Sequence, residues 1–159
     1  MNPIRWMKGL LRFLTYMVWH KWYVFRECCR SGIPILGLLH DLSKFRPSES
    51  LPYITFFAHS PVTVIPLEVR TPAIKKSMLL HTNRNKHHWQ WWVLPYAPDG
   101  MTAFPMERKY VLEMVADWRG AGRAQGNPDT AAWYRENGSK MMLHPETRLL
   151  VEQLLGLED

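Results

Sequence analysis

Seven histidines are spread along the 159 residues, at positions 20, 40, 59, 81, 87, 88 and 144. Several stand where a core is expected. His40 and Asp41 directly follow the apolar run "GLL" in "GLLHDLSKF", and Asp117 lies in "EMVADW". His20 sits in an apolar segment near Trp19 and Trp22. His81 and His88 are seven residues apart, which on a helix is about two turns and nearly one face, with His87 rotated by about 100° toward its edge. Imidazole and carboxylate suit a borderline metal ion. A buried polar group needs its own partner, and an unpaired buried carboxylate is costly. One metal centre satisfies several such groups together, so the pattern points to a shared site. His59 and His144 fall outside it and read as ordinary histidines.

The elements that must position these residues are read from apolar spacing. Leu10, Leu11, Leu14, Met17 and Val18 predict a long helix over 4–30, ended by Gly32. A short apolar helix is expected over 35–45. Residues 46–72 hold five prolines, which allow a short helix near 49–58 and then a loop to residue 70. Thr71-Pro72 opens a helix expected to reach residue 92. A loop with a turn at Asp99-Gly100 follows, and then helices over 105–119, 128–138 and 144–156. "RGAGRAQGN" reads as a Gly-rich connector and lacks the Gly-Lys-Ser/Thr of a phosphate-binding loop. Only "VTVIPLEV", residues 62–69, suggests a strand. The fold class is therefore all-α, a single helical domain over 1–159 with a long Pro-rich central loop.

Composition sets the remaining bounds. Apolar residues make up 47% of the chain, which argues against disorder. The net charge of +6 suits a small anionic partner such as a nucleotide or phosphate ester. Nucleic acid is a less favoured partner, since no block of basic residues appears. Cys28 and Cys29 are adjacent and form no disulfide framework, which fits a reducing cytoplasm. Residues 9–19 are interrupted by Arg12 and too short to span a bilayer. They read as an amphipathic core helix, so no membrane partner is expected. Self-association is left open. Any of the tryptophans in "HHWQWW" could stack on a base, although a core role suits them better.

The order His20, His40-Asp41, His81, His87-His88, Asp117 resembles the HD-domain superfamily of metal-dependent phosphohydrolases. "HDLSK" is similar to the His-Asp-x-x-Lys of its phosphodiesterase branches. The chain also looks like an uncharacterised bacterial and phage family sharing "GLLHDLSKF", "H--RN-HHW" and "EM--DW". The resemblance implies an HD-domain-like bundle with His20, His40, Asp41 and Asp117 as core ligands. His81, His87 and His88 would serve a second ion or contact phosphate. One or two divalent ions (Mn, Co, Ni, Zn, Mg or Fe) are implied, with Lys44 facing the phosphate. Arg84 and Glu113 join Lys44 as candidate catalytic groups, and Glu49 as a supporting one. The expected activity is hydrolysis of a nucleotide or other small phosphate ester by metal-activated water. The alternatives are an HD-type di-iron oxygenase and a non-catalytic nucleotide-binding module.

Overall fold

The computed structural model describes residues 2–60, 70–98 and 100–158. The proposed strand at 62–69 and part of the Pro-rich loop lie outside them. The described chain is mostly helical: α1 (Pro3–Arg30), α2 (Pro34–Leu39), α3 (Pro47–His59), α4 (Pro72–Arg84), α5 (Arg108–Ala124), α6 (Thr130–Asn137) and α7 (Pro145–Leu155). None of these helices is long and apolar enough to cross a membrane.

α1 is the spine. Asn2 caps its start by accepting from the Ile4 amide at 2.9 Å, which satisfies one of the orphan amides of the first turn. Gly32, with φ of 74°, turns the chain out of its last turn. Its inner face packs against α2, α3 and α5. Phe13 and Met17 meet Ile54 and Phe57 of α3, while Val24 and Cys28 meet Ala116 of α5. A third cluster joins Val111, Met114 and Val115 of α5 to Tyr134 and Val151. Trp89 and Trp92 pack against that third cluster, so two tryptophans of "HHWQWW" belong to the core.

Four elements differ from the sequence reading. The apolar helix expected over 35–45 stops at Leu39, and a 3-10 turn over Leu42–Phe45 follows. The helix expected to reach residue 92 ends at Arg84. There the Asn85 side chain donates to the His81 carbonyl at 2.8 Å, competing with the next helical turn. Residues 93–104 form an antiparallel hairpin, β1 (Val93–Ala97) with β2 (Gly100–Ala103), pairing Val93 with Ala103 and Leu94 with Thr102. Pro95 obscures this strand in the sequence, yet a two-stranded ribbon has only edges, where proline is tolerated.

The fourth difference is α5, which continues through "RGAG" to Ala124 instead of stopping at residue 119. Gly120 is there for contact with α1. A Cβ built on it would lie 2.8 Å from the Val24 backbone nitrogen, closer than packing allows. Gly120→Ala is expected to push α1 and α5 apart and to lower stability by about 1–3 kcal/mol, read as a reduced urea midpoint.

Candidate metal centre

His20 lies on the buried face of α1, with Gly9, Phe13, Met17 and Val24. Four residues earlier, Tyr16 stacks on its ring at 5.7 Å. His40 and Asp41 follow α2. Adjacent residues on a helix diverge by about 100°, and on a strand they point to opposite faces. The chain avoids both outcomes because Asp41 adopts a left-handed conformation, with φ of 57°, which Asp tolerates better than most residues. Both side chains thereby turn inward, each 1% exposed. Lys21 steadies this junction from α1 by donating to the His40 carbonyl.

α4 contributes His81, and the turn after it contributes His87 and His88. These three do not share a helix, contrary to the two-turn spacing argument. They meet because the chain reverses after Asn85: the ring centroids of His81 and His88 are 4.7 Å apart, and those of His87 and His88 are 4.2 Å apart. α5 adds Glu113 and Asp117, one turn apart.

The ligand-type side chains include two sets of four that share Asp41, and a group of three, His40, His87 and Glu113, that spans them. Its Oδ2 lies 3.2 Å from His20 Nε2 and 3.4 Å from His40 Nε2. Asp117 Oδ1 closes this first set at 3.3 and 3.4 Å from the same two nitrogens. The other oxygen, Asp41 Oδ1, lies 3.2 Å from His81 Nε2 and 3.5 Å from His87 Nε2. With His88 these form the second set. Donor atoms about 3 to 3.5 Å apart have the spacing of ligands around one ion at about 2.1 Å. Among the described residues, Nε2 of His40, His81, His87 and His88 and Oδ1 of Asp41 are buried without a properly directed hydrogen bond. Five orphaned polar atoms aimed into one space are costly in a protein interior, and divalent ions would satisfy them. The residues present therefore fit a metal group.

An outer layer orients the rings. Glu113 Oε1 accepts from His40 Nδ1 at 3.0 Å and lies 3.2 Å from His87 Nδ1. Glu49 Oε2 lies 3.0 Å from His81 Nδ1 and accepts from Ser43 Oγ at 2.9 Å. Carboxylates on the rear nitrogens leave Nε2 to face the centre, an arrangement characteristic of metal-ligating histidines. Glu113 is thus a positioning group by its contacts. Arg84 donates to Glu49 and to Ser48, so it supports the layer behind His81. Lys44 is closer in, with Nζ 2.6 Å from Asp41 Oδ2. Arg119 is turned to the Leu154 carbonyl, Arg46 is exposed, and His144 caps α7.

The electrostatics follow from this packing. Burial alone would raise the Asp41 and Asp117 carboxyls. The His40 charge, joined at Asp41 by Lys44, outweighs it and holds both well below the usual carboxylate range. Burial likewise opposes the charge on Lys44, yet Asp41 more than offsets it and raises its pKa. Burial lowers His20 and His88, keeping their rings neutral and available as ligands.

Beside Lys44 is a cavity of about 160 Å³ whose polar lining is Tyr16, Lys44, Tyr53, Arg70 and Gln125, with Phe13 and Phe57 on its apolar wall. Tyr16 was detectable in the sequence as the residue one turn before His20. Tyr53, Arg70 and Gln125 carried no such signal. A larger hollow of about 610 Å³, between residues of α6 and α7, includes none of the ligand-type residues.

Fold and site together define a helical protein with a buried histidine–aspartate centre able to hold metal. The chain belongs to a family of unknown function (DUF5662), which matches residues 10–157. No curated protein and no solved structure matches it.

Two outcomes are expected. Glu113→Gln should weaken metal affinity by roughly 10- to 100-fold, measured by titrating the metal-free chain with zinc or manganese. In that metal-free chain, Asp41, Glu113 and Asp117 are depressed in the folded state. The unfolded chain takes up these protons first, so their contribution is present above about pH 4 and is lost as the pH falls through the lower folded values. Urea unfolding on either side of that pH should show the loss, and Asp117→Asn should reduce its size.

Proposed function

We propose that the protein is a metal-dependent phosphohydrolase acting on a small phosphate ester, a nucleotide being the first candidate. The observation that carries this reading is the Asp41 carboxylate, with one oxygen facing each of two four-residue ligand sets. The ordered resemblance to HD-domain phosphohydrolases supports it, as does the net charge of +6.

His20, His40, Asp41 and Asp117 would hold one divalent ion, and Asp41, His81, His87 and His88 a second. Such ions supply Lewis acidity and lower the pKa of bound water. The chain's own groups do the rest. Glu113 and Glu49 keep the His40, His87 and His81 imidazoles in the tautomer that faces the centre. Lys44 stands at the boundary between this centre and the neighbouring cavity, where its ammonium can bind phosphoryl oxygens and offset charge developing on them. The cavity receives the organic group. Its 160 Å³ is close to the roughly 150 Å³ that accepts a benzene ring, so it favours one ring-sized group between the Tyr16 and Tyr53 side chains.

The three imidazoles of the second set also suit iron, which supports an oxygen-dependent reading as the runner-up. Metal identity separates the two. The test is phosphate release from a panel of nucleotides and simple phosphate esters, after reconstitution with each of Mn, Fe, Co, Ni, Zn and Mg. Release is expected to require metal, to disappear in Asp41→Ala, and to fall by about 100- to 1000-fold in Lys44→Ala. A metal-loaded protein that hydrolyses none of the panel would sink this reading, and oxygen consumption by the iron form would establish the alternative.

A further inference from the structure

α1 has two apolar faces, and only one is covered by the described residues. Ile4, Leu11 and Val18 recur every seven residues, with Trp22 one turn on. They are 67%, 57%, 66% and 51% exposed, respectively. At about 100° per residue they form one stripe, turned away from the buried face that holds Phe13, Met17 and His20. Met7 and Leu14, also exposed, widen it. α2 lies against the same helix, with Gly37 close to Phe25 and Cys28 and Lys21 donating to the Leu38 carbonyl. α2 itself exposes Ile35 and Leu38. An apolar surface of this extent on one side of a small protein marks an interaction site.

Charge identifies the occupant. α1 carries six basic residues and one acidic residue, Glu27. Glu27 is buried and held by Arg30 and Arg123, while α2 carries no charge at all. Most of the chain's net charge of +6 is therefore concentrated on this helix. Exposed Lys8 and Arg26 lie about 40° from the stripe, with exposed Arg5 further round. A second copy would set this cationic helix against itself. An anionic lipid surface offers both complements, headgroup charge for the basic flank and acyl chains for the stripe. Trp19, exposed within the basic flank between Arg26 and Arg5 around the helix, is the side chain type that settles at the membrane–water boundary.

We propose that the outer face of α1, extended by α2, docks the protein in the plane of an anionic membrane surface, without crossing it. This combination of basic flank, aromatic residues and apolar stripe is that of an interfacial amphipathic helix. The inference goes beyond the phosphohydrolase reading and does not depend on it. The sequence alone led to no membrane partner because the exposed face looks like core until the fold shows which face is covered.

The test is flotation of the full chain with vesicles of phosphatidylcholine alone or mixed with phosphatidylglycerol. Binding is expected only to the mixed vesicles and should weaken with salt. Leu11→Glu with Val18→Glu should abolish it. Lys8→Gln with Arg26→Gln should weaken it about fivefold per charge removed. All four positions are exposed, face away from the buried side of α1 and belong to neither ligand set, so circular dichroism and metal content should remain those of the parent. Failure of the folded parent to bind either vesicle would overturn the proposal, as would equal binding to both. So would a concentration-dependent dimer, broken by Leu11→Glu with Val18→Glu, in a protein that ignores lipid; that result would assign the face to a second copy.

Discussion

A carboxylate that is 1% exposed has to be met by positive charge, and much of this structure can be understood from how Asp41 is met. Its two oxygens face two groups of imidazoles, and Lys44 approaches one of them at 2.6 Å. No single helix can surround a carboxylate in this way. α1 supplies His20, the junction after α2 supplies His40 and Asp41, α4 and its following turn supply three more rings, and α5 closes the ring with Asp117. The left-handed backbone at Asp41 is the local cost of turning consecutive side chains into one space.

The second layer explains why the first can hold its shape. A histidine cluster without fixed tautomers would have many arrangements. Glu113 contacts the rear nitrogens of two rings on different segments, and Glu49 does the same for His81 while being held by Arg84 and Ser43. This layer ties α3 to α4, and α5 to the segments that follow α2 and α4, through polar contacts, where the apolar clusters link α1 to α3 and α5. Gly120 matters for the same reason: it brings α1 and α5 close enough for His20 and Asp117 to lie 3.3 Å apart.

α1 thus serves two surfaces with opposite demands. Its inner face is interrupted by a polar residue, His20, because the centre needs a ligand there. Its outer face is as apolar as a core face yet remains uncovered by the described residues. A hydropathy pattern registers both as one hydrophobic helix, since it records which residues are apolar and not which are buried.

Much of the bundle was legible because helix signals are local. Thr71-Pro72 and Gly32 mark ends through their own backbone chemistry, and the structure places helix termini beside each. The ligand-type residues were legible for a different reason: His20, His40-Asp41 and Asp117 are polar groups among apolar ones, an expense that needs a common explanation. The hairpin, the early end of α4 and the run of α5 through its glycines were not legible. The run of α5 depends on a partner distant in sequence, Val24 against Gly120; the other two turn on local competition, Pro95 inside a strand and the Asn85 side chain on the His81 carbonyl, which apolar spacing does not register. The sequence alone therefore determined a helical chain with metal-type side chains in its interior. Long-range packing decided how they divide into two sets across Asp41, which carboxylate stands behind which ring, and which face of α1 is left to solvent. Those outcomes depend on distances between segments, and no local pattern of residue types encodes a distance.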